Sequence, residues 1–119
     1  MVTSMESFLI CFYILDYCYF INYENDLGGI LGAMSPDLMV DGMPIDYAFL
    51  INWKKFYNPN IKNNYDIIIQ IDAFLEYYEK EYGFCFKETR KLLKSDLLLN
   101  FVDVAKNKAH ETCKKHNYK

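Results

Sequence analysis

Tyr65–Gly83, YDIIIQIDAFLEYYEKEYG, decides the fold class. Ile67, Ile71, Phe74, Tyr78 and Tyr82 recur at three- and four-residue steps, the period of one helix face, and Asp72, Glu76 and Glu79 keep that period on a polar flank. Ile67, Ile68 and Ile69 taken alone suit a strand, because branching at Cβ favours extended backbone. Helical period sustained from Tyr65 to Tyr82 outweighs them. Gly83 then supplies the residue after a helix end where positive φ is wanted. The three acids read as a solvated face.

Downstream, a short helix is expected around Lys87–Lys94. Ser95 or Asp96 caps a last helix running to about His116. Leu98, Phe101, Val102, Ala105 and Ala109 point inward, and Lys114, Lys115 and His116 complement the negative end of its dipole. Upstream, Asn58–Asn64 is the most linker-like stretch and the one place for a weak sub-division. Before it, Asp46 caps a helix over Tyr47–Tyr57 that carries Phe49, Trp53 and Phe56 on one stripe.

Asp26 is expected to cap a short helix with Leu27, Ile30, Leu31 and Met34 at helical spacing. Gly28, Gly29 and Gly32 each weaken it by about 1 kcal/mol relative to Ala, so they imply close packing against a neighbour. Ser35-Pro36 ends it, Asp41-Gly42 marks a turn and Pro44 a second break. The first helix, about Met5–Asn22, has Phe8, Phe12, Leu15 and Tyr19 on one face and Leu9, Tyr13 and Phe20 on another. A helix apolar on most sides is central to the core or covered by a partner. The whole reads as an all-α, compact, single-domain bundle of five to six helices spanning residues 1–119. Phe12–Leu31 and Ala73–Leu93 share an order of aromatic helix, Tyr-rich end and short Leu-bearing helix, a likeness too weak to be a repeat.

Apolar residues at 52% and aromatics at 18% exclude a disordered chain. Phe8–Ile21 is interrupted by Asp16 and falls short of the about 20 apolar residues a membrane span needs. Met1–Ser7 offers Glu6 where a secretory leader has positive charge. A buried helix in a cytoplasmic protein, with no membrane role, is the expectation. Cys11 and Cys18 suit two buried thiols on one helix face, and no CxxC pair or disulfide framework is visible.

The net charge of −3 hides an asymmetry. Residues 1–53 hold Glu6, Asp16, Glu24, Asp26, Asp37, Asp41 and Asp46 and no Lys or Arg, a net of −7; the remainder holds 13 basic and 9 acidic groups, a net of +4. A cation-free half repels nucleic acid and attracts basic surfaces. The basic residues Lys87, Arg90, Lys91, Lys94, Lys106 and Lys108 are interleaved with Glu88, Asp96 and Asp103, which also speaks against a nucleic-acid face. The glycines at 28, 29 and 32 lack the Lys and Ser/Thr of a phosphate cradle. His110, Cys113 and His116 at i, i+3, i+6 spread too far round a helix to converge on zinc. No Glu-x-x-His pair exists for a carboxylate-bridged metal bundle. No catalytic residue, metal or cofactor is therefore expected.

Asp26–Trp53, DLGGILGAMSPDLMVDGMPIDYAFLINW, carries the pattern DLGGxLGxMS, then DGxPxDxA, then Trp. With Tyr23 and Glu24 before it, this resembles a family of small helical immunity proteins found beside polymorphic and contact-dependent bacterial toxins. The likeness covers residues 8–56, and Asn52 stands where that pattern has an acid. It implies a non-enzymatic protein that binds and neutralises a basic toxin domain. Tyr23, Glu24, Asp26, Asp37, Asp41, Asp46 and Tyr47 are the expected contact residues. The same acids also suit helix capping and turns, and a helical structural or adaptor protein with an unrelated protein partner is the alternative.

Overall fold

Ser4–Ile21 forms the first helix, α1, and the rest of the chain is arranged around it. In the computed structural model, which describes residues 2–61 and 63–118, the order continues as α2 (Asn25–Met34), α3 (Tyr47–Lys54), α4 (Asn64–Tyr82), α5 (Lys87–Leu93) and α6 (Asp96–His116). A 3₁₀ turn covers Pro36–Leu38, and a lone antiparallel bridge joins Val40 to Met43. The described residues contain no strand, so the protein is an all-α bundle forming one domain.

α1 packs against α2, α3, α5 and α6 at once. Phe8, Leu9, Cys11, Ile14 and Leu15 are fully buried, though they point to different sides of the helix. Apolar character all round is thus explained by a central position for most of the circumference. By length and composition α1 is also apolar enough to cross a membrane, and over half of it is buried within the fold. α6 returns antiparallel along it: His110 lies beside Glu6, Thr112 meets Tyr13, and Phe101 stacks on Tyr17.

α3 and α4 are joined by aromatic rings. Trp53 sits edge-on to Phe74 at 5.2 Å and Phe49 stacks on Tyr78 at 5.0 Å. These contacts tie the two sides of the Asn58–Asn64 stretch into one core, so the chain does not divide there. Trp53 also donates to the Ser7 hydroxyl, which satisfies its buried N–H. At the far end of α4, Asn64 bridges to α6, donating to Asp103 and accepting from Lys106.

The expected boundaries hold closely for five helices. α3 stops at Lys54 because the amides of Phe56 and Tyr57 both turn back to the Trp53 carbonyl. On α4 the buried stripe is Ile68, Ile71, Phe74, Leu75 and Tyr78; Tyr82 is exposed and Ile67 only half-buried. The core lies on two sides of this helix, α3 and α6, and rotates the buried face toward Ile68 and Leu75. Gly83 has φ +73 and Gly42 φ +76, as turn positions require. Gly28 is needed for packing, since a Cβ there would meet the Tyr19 ring at 2.9 Å. Gly29 and Gly32 correct the expectation: nothing lies within 4 Å of a Cβ at either.

Candidate functional site

Glu6 of the cation-free half pairs with His110 and Asp16 is exposed on α1; the other five carboxylates have two fates. The first group serves α5. This short helix begins at Phe86, which brings no side-chain oxygen to its own N-terminus. Its free amides are met from elsewhere in the chain. Glu24 accepts from Glu88 N at 3.0 Å, Thr89 N at 2.9 Å and Thr89 Oγ1 at 2.7 Å. Asp26 accepts from Cys85 N at 2.7 Å and Glu79 from Phe86 N at 2.8 Å. Arg90 then grips Asp72 with two bonds of 2.8 and 3.1 Å and Glu79 at 2.6 Å. The paired carboxylates hold its guanidinium firmly charged.

Two expectations are corrected here. Asp26 does not cap α2; it lies in the first turn of that helix and its side chain bonds across to Cys85. The flank Asp72, Glu76 and Glu79 is not merely solvated, because Arg90 approaches all three.

The second group lies on the segment from Asp37 to Ile51. Asp37 is exposed at the 3₁₀ turn, where Ser35 serves its amide. Asp41 is exposed at φ +54 in the tight turn closed by Val40 and Met43. Asp46 caps α3 through Ala48 N at 3.1 Å, as expected, and remains exposed. Around them Val40 is 65% and Ile45 63% exposed, with Leu38, Tyr47 and Ile51 also open to solvent. The Asp41-Gly42 turn rests on the ring of Tyr118, and Lys54 lines the same cleft. Of the seven expected contact residues, Asp37, Asp41, Asp46 and Tyr47 share this segment. Tyr23 is exposed at the α1–α2 turn, edge-on to Tyr19, while Glu24 and Asp26 are turned to internal amides.

The exposed aliphatic residues beside these acids were missed by sequence reasoning. The alternation Leu38, Val40 and Ile45 with Asp37, Asp41 and Asp46 is the signal that marks them. Asn52, where the motif has an acid, is buried and donates to the Tyr78 hydroxyl at 2.8 Å. A neutral donor suits that place, since an uncompensated carboxylate there would be costly.

Elsewhere, buried thiols are held in their neutral form. Burial pushes the Cys18 thiol up to about 12 and the Cys113 thiol up to about 11, the latter with help from the Glu6 carboxylate. Neither is a ready thiolate. His116 stacks on Tyr118 and His110 pairs with Glu6 at 3.3 Å. Among the described residues no group of three His, Cys, Asp or Glu side chains is placed to hold a metal ion. The cleft between Val2, Ile10, Tyr57 and Ile67 measures about 130 Å³, and a larger one beside Tyr65, Ile69, Leu93 and Leu99 about 460 Å³, within the size range of small-molecule sites. Set against known proteins, the chain matches no family model, no curated protein and no solved structure.

Proposed function

We propose that this chain is a non-enzymatic, cytoplasmic immunity-type protein that binds and neutralises a basic toxin domain, and that segment 37–51 is its contact surface. The observation that carries the reading is the exposed alternation of Asp37, Asp41 and Asp46 with Leu38, Val40, Ile45 and Tyr47. Carboxylates of one sign steer a cationic partner and pair with its Arg and Lys, while the apolar side chains and Tyr47 supply desolvated contact area. The resemblance of Asp26–Trp53 to immunity proteins points the same way. Glu24 and Asp26 leave the expected contact set, because their oxygens already hold α5.

The test is co-expression with the toxin domain encoded beside this gene, together with a binding measurement on the purified pair. Cells are expected to survive with this chain and die without it. Asp37→Lys combined with Asp41→Asn is expected to weaken binding by about tenfold or more; Asn is used at position 41 because it tolerates positive φ. Unchanged affinity would remove segment 37–51 from the mechanism. Failure to protect at all would remove the immunity role and leave an adaptor.

A further inference from the structure

A second exposed apolar surface runs along the outer seam of α1 and α6, away from segment 37–51 in the chain. On α1, Tyr13, Asp16, Tyr17 and Phe20 recur at i, i+3, i+4 and i+7; on α6, Leu97, Phe101, Val104 and Lys108 recur at i, i+4, i+7 and i+11. Each set therefore forms one stripe on its helix. Because the helices are antiparallel, Phe20 and Leu97 share one end of the seam, while Tyr13 and Lys108 share the other.

The seam is ordered by its own contacts. Tyr17 stacks flat on Phe101, centroids 4.0 Å apart and planes at 7°. The Tyr13 and Thr112 hydroxyls are bonded at 2.6 Å. The Lys108 ammonium lies 5.8 Å from the Tyr13 ring and 5.9 Å from that of Phe101. Along this framework Phe20 stands 71% exposed, and Leu97 and Val104 are open as well. Asp16 is exposed on the same stripe, where partial desolvation raises its carboxyl and Lys108 opposes the rise. This is the side of α1 that its own chain covers least.

We propose that the seam is the interface of a symmetric homodimer, in which α1 and α6 of one copy pack on α6 and α1 of a second across a two-fold axis. Charge selects a second copy over another partner. The stripes hold one carboxylate, Asp16, and one ammonium, Lys108. A two-fold axis between them sets each Asp16 toward the other copy's Lys108 and apolar side chains against one another. Segment 37–51, with three carboxylates, repels its own copy instead. Pre-ordered rings lower the entropy lost on association, and pairing covers the least buried side of a helix that is apolar on most sides.

Sedimentation of the full chain, from low micromolar to near-millimolar concentration, tests this without any toxin. A monomer-to-dimer shift is expected. Phe20→Glu and Val104→Glu should each raise the dissociation constant about tenfold or more, with unchanged circular dichroism showing that the fold survives. A charge experiment separates pairing between copies from pairing within one. Asp16→Lys and Lys108→Asp chains should each be monomeric alone and should form a heterodimer when mixed, although mixing repairs no contact inside either chain. A wild-type chain that stays monomeric throughout, a dimer indifferent to Phe20→Glu and Val104→Glu, or a mixture that fails to pair would overturn the proposal.

Discussion

Glu24 and Asp26 at the α1–α2 turn carry the same charge as Asp37 and Asp41 only a few residues further on, yet the first pair is absorbed into the fold and the second is not. The difference lies in which amides need an acceptor. The turn of Glu24 passes the start of α5, whose first-turn N–H groups have no partner from Phe86 and so take the nearest carboxylates. In the later segment Ser35 serves Asp37 N, Asp46 serves Ala48 N, and Val40 and Met43 serve each other. Among the described residues, the side chains of Asp37 and Asp41 accept no hydrogen bond and stay exposed. Counting acids therefore says little about a binding surface; asking which amide each acid faces says more.

The largest effect is expected at the cation that completes the first region. Arg90→Ala leaves Asp72 and Glu79 without their shared donor, at sites about three-quarters shielded from solvent. Urea denaturation should show a loss of about 3 kcal/mol. A loss below about 1 kcal/mol would place this cluster with ordinary surface ion pairs and weaken the contrast.

Glu24→Ala comes next, at about 2 kcal/mol, because Thr89 is buried and loses the acceptor for both its amide and its hydroxyl. Glu24→Gln keeps one acceptor oxygen and should lose about half as much. Amide hydrogen exchange provides the local check: Glu88 and Thr89 should exchange faster in Glu24→Ala while amides inside α4 hold their rates. Asp46→Ala, which removes an exposed cap of α3, should cost about 1 kcal/mol.

How much of this was legible in the sequence follows from range. Period gave the six helices, and local chemistry gave the Asp46 cap, the Asp41-Gly42 turn and the Gly83 stop, because each depends on residues within four positions. The Glu24 bonds span 64 and 65 residues and the Asp26 bond 59, so no local pattern announces them. An acid two residues inside a helix start looked like its cap, and only the placement of α5 showed otherwise. The tilt of the α4 stripe toward Ile68 and Leu75 was hidden for the same reason: apolar residues on both flanks fit the helical period, and the neighbours decide which are covered.

The glycines of α2, which links the two regions, sharpen this point. A Cβ at Gly29 or Gly32 meets nothing within 4 Å, so Gly29→Ala and Gly32→Ala should each stabilise the protein by about 0.5–1 kcal/mol through helix propensity and a less free unfolded chain. Gly28→Ala should gain nothing, since the Tyr19 ring must move. Thermal melts of the three variants separate a packing glycine from two permissive ones that the sequence could not tell apart.

The smallest change in stability is expected where the functional proposal is most exposed. Asp37→Asn with Asp41→Asn removes two exposed charges that accept no side-chain hydrogen bond among the described residues, so the folding free energy should move by no more than about 0.5 kcal/mol. Asn at position 41 keeps the left-handed backbone at φ +54 available. Association with a basic partner should behave in the opposite way. Its on-rate should fall at low ionic strength, and much of the difference from wild type should vanish as salt screens the remaining charge. Loss of stability without a change in on-rate would mean that these acids, like Glu24 and Asp26, serve the fold; a changed on-rate on an unchanged fold would keep the two regions distinct.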